Sequence, residues 1–79
     1  MAKLVKVPVK NASSMFTERD LQVIRLICDQ ATNEEIAMKL KRSERTVEGY
    51  RAEILEKMKV KNTAGLVIYA VKAGIYKIR

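Results

Sequence analysis

The side chains best suited to chemistry lie in residues 43–59, where one face of a predicted helix is polar and small at its centre. At about 100° per residue, Val47, Ile54 and Met58 lie together on an apolar face. The opposite face carries Arg45, Glu48, Gly49, Ala52 and Glu56. Hydrogen-bonding side chains beside residues with little side chain suit contacts with the base edges of DNA, because the helix backbone can then approach closely. The alternative is that this face is only solvated.

Several other kinds of chemistry are excluded by the residue types of the chain. The 79 residues include no histidine and one cysteine, Cys28, so neither a Ser-His nor a Cys-His nucleophile pair can form. The same counts leave no ligand set for a zinc finger and no internal disulfide. The glycines stand too far apart for a phosphate-binding loop. We therefore predict that the chain is not an enzyme, holds no metal, cofactor or small molecule, and uses Cys28 as a small core residue.

The charge balance points to an anionic partner. Lysine and arginine number 16 against 9 acidic residues, which gives a net charge of +7 and a pI of about 9.8. A small basic domain indicates nucleic acid first and an anionic membrane surface second. The membrane is the weaker choice, because no helix pairs a lysine-rich face with a bulky apolar one. A lone cysteine is typical of a reducing compartment, so we expect a cytoplasmic, nucleoid-associated protein.

The apolar spacing predicts an all-α domain of four helices over residues 15–79, after a basic linker or tail over residues 1–14. A short edge strand over residues 5–9 is an alternative for part of that tail. The first helix should begin after Thr17, with Asp20 as its capping-box partner, and end near residues 29–30. The second should run from Thr32, with Glu35 as its capping-box partner, to residues 40–41. The third should extend from Ser43 to about residue 59. The fourth should cover about residues 63–73, with Gly74 closing it.

The second and third predicted helices have the spacing of a helix-turn-helix, because only about three residues separate them. Ala37 is small where the two helices would cross, and Leu40 and Val47 would fill the space beneath the turn. In that motif the second helix lies in the major groove of DNA and the first crosses the backbone.

The ordered set of motifs resembles the LuxR-type helix-turn-helix domain of NarL-class response regulators. Residues 16–20 resemble the opening L-T-x-R-E of that family, and residues 23–28 its V-L-x-L-I-A. Residues 32–40 resemble S-N-K-E-I-A-x-x-L, residues 43–47 S-x-x-T-V, and residues 54–60 I-x-x-K-L-x-V. The chain departs from the family where Glu48 replaces a basic residue, Tyr50 a histidine and Gln30 a glycine.

The resemblance implies a double-stranded DNA partner and a role for each polar position. It places Glu48, Gly49 and Ala52 against base edges, and the polar face adds Arg45. The predicted phosphate contacts are Thr32, Asn33, Thr46, Tyr50, Arg51 and Lys57. Glu48 could accept a hydrogen bond from cytosine N4. The alternative for Glu48 is a surface ion pair with Arg45 or Arg51.

The fourth helix is apolar on nearly every side, so one face should remain for a partner. In the resembling family this helix pairs two domains across a two-fold axis. We assign Ala64, Val67, Ile68 and Val71 to a homodimer interface. The alternative is that residues 75–78 fold back over this face.

The predicted function is a sequence-specific transcription regulator of a bacterium that binds DNA as a dimer, with RNA polymerase as a candidate partner. Two alternatives stay open at this point. One is a domain like region four of a sigma factor, and the other is a protein-interaction module that uses helix 63–73.

Overall fold

The computed structural model describes residues 15–78, which form four α-helices. They are α1 Glu18–Cys28, α2 Asn33–Leu40, α3 Glu44–Met58 and α4 Thr63–Lys72. The predicted all-α, four-helix fold is confirmed, and the helix ends lie within about two residues of their predicted positions. The predicted tail over residues 1–14, and the alternative edge strand within it, lie outside the described residues.

Each helix begins at a side chain that accepts a hydrogen bond from the backbone of the first turn. The predicted capping boxes are confirmed: Thr17 accepts from the Asp20 N–H at 3.0 Å, and Thr32 accepts from the Glu35 N–H at 3.1 Å. The two acids accept in return from the backbone N–H of Thr17 and of Thr32. Such caps satisfy backbone donors that have no partner within the helix. The caps of α3 and α4 are Ser43 and Asn62.

Each of the four helices ends at a residue with left-handed backbone conformation. The N–H of the next residue then donates a hydrogen bond to the carbonyl five positions before it. Ala31 donates in this way to Leu26 at 3.0 Å, and Val60 to Leu55 at 3.1 Å. The left-handed residues are Gln30, Lys41, Lys59 and Gly74, with φ of 69°, 58°, 60° and 78°. The predicted role of Gly74 is confirmed. At the other three ends a residue with a Cβ adopts a conformation that disfavours it by about 1–2 kcal/mol.

The core lies between all four helices and uses the apolar stripes that the spacing predicts. Its buried apolar residues are Phe16, Val23, Ile24, Ile27, Ile36, Ala37, Val47, Ile54, Met58, Leu66, Ala70, Ala73 and Ile75. Cys28 and Leu40 pack against this core and are only partly buried. Burial, and secondarily the charge of Asp29, raise the pKa of the Cys28 thiol to about 11, so it stays protonated at neutral pH.

The first turn of α4 requires a glycine where it packs against the connection from α3. A Cβ on Gly65 would lie 2.9 Å from Cβ of Val60, which precedes α4. Both atoms belong to short, stiff parts of the chain, so neither could move aside without shifting backbone. The close approach of Val60 and Gly65 therefore sets how α4 leaves the end of α3.

Candidate nucleic-acid interface

The helices α2 and α3 form a helix-turn-helix whose turn is fixed by backbone bonds. Lys41 takes the left-handed conformation, and the N–H of Arg42 donates to the carbonyl of Ala37 at 2.9 Å. Ala37 and Val47 are buried, as the sequence predicts for the crossing point and for the space beneath the turn. The apolar side of α3 is thus held in the core and its polar side is turned outward.

The outward face of α3 is defined by four exposed residues, which we call the reading face. They are Arg45, Glu48, Gly49 and Ala52. A Cβ placed on Gly49 would meet no atom within 4 Å, so no contact inside the domain requires a glycine at that position. A glycine inside a helix disfavours the helix by about 1 kcal/mol relative to alanine. The reading face therefore carries a destabilising residue that serves no packing purpose in the domain itself.

Glu48 makes no ion pair within residues 15–78. The ion pairs of this part of the chain join Asp20 to Arg19 and to Lys57. The carboxylate of Glu48 is exposed. The predicted alternative, a surface ion pair with Arg45 or Arg51, is absent from the structure.

Three predicted phosphate contacts lie on α3 beside the reading face and have partners of their own. The hydroxyl of Thr46 shares a hydrogen bond of 2.9 Å with the hydroxyl of Ser43. The guanidinium of Arg51 donates to the hydroxyl of Thr63 at 2.8 Å, which connects α3 to the start of α4. Tyr50 is half-buried.

Two further candidates lie at the start of α2. Thr32 is exposed, and its hydroxyl oxygen accepts from the backbone of Glu35, so its O–H remains able to donate. Asn33 is half-buried, and its amide oxygen is shielded from solvent without a hydrogen-bond partner among residues 15–78. The first turn of a helix favours anions, because its N–H groups and its dipole point outward.

Lys57, a predicted phosphate contact, binds a buried carboxylate with its ammonium group. Nζ of Lys57 lies 2.7 Å from Oδ2 of Asp20, whose side chain is fully buried. The ammonium also lies 5.8 Å from the centre of the Phe16 ring. The charge of Lys57 therefore has a partner inside the domain, and its contact with a phosphate stays a prediction.

The environment of Asp20 explains why an acid is tolerated in the core. Burial alone would raise the pKa of Asp20, but the hydrogen bond from Lys57, the backbone N–H of Thr17 and the charges of Lys57 and Arg19 together hold it below its ordinary value. Asp20 is thus a charged group that joins the first turn of α1 to the last turn of α3. The sequence showed only its role as a cap.

The neighbouring residue, Arg19, contacts the same side of α3. Its guanidinium carbon lies 4.1 Å from the centre of the Tyr50 ring, and 45% of its side chain is exposed. Sequence reasoning assigned no function to Arg19.

The two faces of α4 differ as predicted. Its core face consists of buried residues, Leu66, Ala70 and Ala73. On the other face Ala64 is exposed, Ile68 is 56% exposed, and Val67 and Val71 are half-buried. Residues 75–78 leave most of this face open, because Ile75 is buried in the core and Ile78 is 73% exposed. At Val67 the face shares a pocket with Tyr76 and Ile78.

Comparison with known proteins places this arrangement in a family. Residues 14–70 match the family described as bacterial regulatory proteins, luxR family. The chain belongs to the LuxR family. It is 34% identical over 68 residues to the uncharacterized response regulatory protein YgeK of Escherichia coli, covering 86% of this chain and 46% of YgeK.

Two other relatives match a similar part of this chain. The oxygen regulatory protein NreC of Staphylococcus carnosus is 38% identical over 58 residues, which are 73% of this chain and 27% of NreC. The transcriptional regulatory protein FixJ of Azorhizobium caulinodans is 39% identical over 60 residues, which are 76% of this chain and 28% of FixJ. The chain thus spans less than half the length of these relatives.

Membership of the LuxR family makes this chain a helix-turn-helix domain for DNA-binding transcription regulation. It also favours this assignment over region four of a sigma factor. Within residues 15–78 there is no helix of the length and apolarity needed to cross a membrane. Among its LuxR-type features, Glu48 stands out as an exposed acid where the resemblance predicts a basic residue.

Proposed function

We propose that this LuxR-family domain inserts α3 into the major groove and reads bases with Arg45, Glu48, Gly49 and Ala52. The observation that carries the proposal is the open space at Gly49. A glycine inside a helix costs stability, and packing within the domain does not require one here. Close approach of an external surface would explain it, and the wall of the major groove is such a surface. The domain acts in the bacterial cytoplasm on double-stranded DNA, with RNA polymerase as a further partner.

The surroundings of the reading face suit the DNA backbone. Thr32 and Asn33 lie at the start of α2, and Thr46, Tyr50 and Arg51 lie along the flank of α3. The exposed cations around both helices include Lys41, Arg42, Lys59 and Lys61. Phosphate contacts position a protein on the duplex, while contacts with base edges give sequence preference.

The first test is the salt dependence of binding to a short fluorescent duplex of random sequence. Each phosphate that is neutralised adds roughly −0.9 to the slope of log K against log salt concentration. With about six contacts per bound dimer, affinity should fall by about a thousandfold between about 50 and 200 mM salt. No binding at low salt would contradict the proposal and favour a protein-interaction module, and a flat salt dependence would contradict the electrostatic account.

The second test concerns Glu48, which we propose accepts a hydrogen bond from cytosine N4. Phosphates repel its carboxylate, and no ion pair within the described domain compensates for this. Glu48→Ala should therefore bind random duplex as well or better, while one position of the selected site becomes degenerate. A good base contact discriminates by about 1–3 kcal/mol.

The measurement for Glu48 is a profile of sites selected from random DNA at one salt concentration. Glu53→Ala is the matched control, because it removes the same charge from an exposed residue of α3 outside the reading face. Identical profiles for wild type and Glu48→Ala would rule out base reading by Glu48. Preference would then come from Arg45 or from DNA shape.

We also propose that the exposed face of α4 pairs two copies of the domain. The argument is that Ala64, Val67, Ile68 and Val71 form a continuous apolar surface opposite the buried face. A two-fold axis lets one such surface cover its own copy. The paired reading helices would then contact half-sites about one helical turn apart.

Ile68→Glu tests this pairing. Because Ile68 is 56% exposed, the substitution should change stability by no more than about 0.5 kcal/mol. It should abolish cooperative binding to paired half-sites and leave binding to one half-site intact, as gel-shift titrations would show. Ile78→Glu, at an exposed apolar residue outside α4, is the control and should bind as wild type does. Cooperativity that survives both Ile68→Glu and Val71→Glu would exclude this face.

A further inference from the structure

The first turn of α1 presents a cation next to a residue that we place at the DNA backbone. The guanidinium of Arg19 is stacked over the ring of Tyr50 at 4.1 Å. Stacking on an aromatic face restrains a guanidinium without using its N–H donors. Because 45% of the Arg19 side chain is exposed, those donors remain accessible to an anion outside the domain.

The neighbouring ion pair accounts for the orientation of that turn. Asp20 is fully buried and lies 2.7 Å from Nζ of Lys57. Since Arg19 and Asp20 are consecutive, this link holds the backbone of Arg19 against α3. Arg19 itself lies 3.8 Å from the other carboxylate oxygen of Asp20, at the outer limit of an ion pair, so most of its charge is not matched by that contact.

We propose that Arg19 is a DNA-backbone contact and that Lys57 is not. The inference rests on the proposed function, because it takes Tyr50 to lie beside a phosphate. Arg19 then supplies a forked donor to the phosphate group next to the tyrosine, in the bidentate geometry that guanidinium and phosphate favour. The interface thereby extends from the helix-turn-helix to α1, which the helix-turn-helix spacing alone does not include.

The experiment measures the salt slope of binding to a random-sequence duplex by fluorescence anisotropy. Arg19→Met removes the proposed contact, and Arg19→Lys keeps a cation at the same place. Lys77→Met is the matched control, because it removes one charge from an exposed residue outside the four helices. The double variant Asp20→Asn with Lys57→Met removes the internal pair without changing the net charge.

The expected result is a slope smaller by about 0.9 per bound domain for Arg19→Met. Between about 50 and 200 mM salt, the wild type should therefore lose about three- to fourfold more affinity than Arg19→Met. Arg19→Lys should keep the wild-type slope, and so should the folded double variant, as checked by circular dichroism.

Equal slopes for Arg19→Met and Lys77→Met would overturn the role of Arg19. A slope reduced by about 0.9 in the double variant would instead return the phosphate contact to Lys57. Wild-type protein that binds no duplex at all would overturn the proposed function itself, and so is distinguishable from both outcomes.

Discussion

Lys57→Met should lower the free energy of unfolding by about 2–3 kcal/mol at neutral pH. The substitution leaves the carboxylate of Asp20 buried without its closest partner, which lies at 2.7 Å. Removing one member of a fully buried pair costs about 3–5 kcal/mol, and a smaller cost applies here because 38% of the Lys57 side chain is exposed. A domain of this size has a stability of only a few kcal/mol, so the variant should be close to unfolding.

Lys57→Met should also reverse the effect of pH on the contribution of Asp20 to stability. In the wild type the folded pKa of Asp20 is below its ordinary value of 3.8. Its stabilising contribution is therefore present above that value and is lost as the pH falls through the folded pKa. Without Lys57, the interaction that most lowers the pKa of Asp20 is lost. Burial should then raise the pKa of Asp20 in the folded state above its ordinary value. The destabilisation should then shrink as the pH falls from neutral toward 4.

Urea unfolding at several pH values measures both effects. Lys77→Met, at an exposed lysine, should change stability by less than about 0.5 kcal/mol at every pH. The double variant Asp20→Asn with Lys57→Met should be more stable than Lys57→Met alone, because it leaves no charge in the core. A difference between wild type and Lys57→Met that stays constant from neutral to acid pH would show that Asp20 is not the group responsible.

Gly49→Ala should stabilise the domain and weaken its binding to DNA. The added Cβ meets nothing within 4 Å, so the substitution gains about 1 kcal/mol from helix propensity alone. If the backbone at Gly49 lies against the groove, the added methyl group would clash with the DNA, and such overpacking should cost about 1–3 kcal/mol of binding free energy. We therefore expect at least about a fivefold loss of affinity for a selected site.

Gly65→Ala is the matched contrast for Gly49→Ala. Its Cβ would lie 2.9 Å from Cβ of Val60, so it should destabilise the domain by about 1–3 kcal/mol. Thermal unfolding and anisotropy titrations on the same samples separate the two effects. If Gly49→Ala is more stable and binds its selected site as tightly as wild type, the close approach of DNA at Gly49 is wrong.

The fold could be predicted from the sequence because local signals and apolar spacing agree. The capping pairs Thr17–Asp20 and Thr32–Glu35 fix two helix starts within the chain itself. The helix ends were less visible, since Gln30, Lys41 and Lys59 replace the glycine that usually identifies a left-handed end. One signal for such an end was present in the sequence, namely an apolar residue on each side of it. Leu55 and Val60 form such a pair at the end of α3.

The exposure of the candidate site residues could be predicted from the sequence, whereas the long-range side-chain pairs beside them could not. Side-chain spacing on one helix places Arg45 and Glu48 outward, because that depends only on the helical period. The bond between Asp20 and Lys57 joins residues 37 positions apart, and no local pattern reports such a distance. The stacking of Arg19 on Tyr50 depends likewise on how α1 packs against α3.

In α3, the residues that form the core are different from the residues of the reading face. None of the residues of the reading face belongs to the buried core formed by Val47, Ile54 and Met58 on the same helix. If the reading face contacts bases as we propose, duplicated copies of such a gene can diverge in operator preference through single codon changes that leave the folded fraction of the protein intact. Selection can explore new targets at these four positions one at a time, without first acquiring a compensating mutation elsewhere.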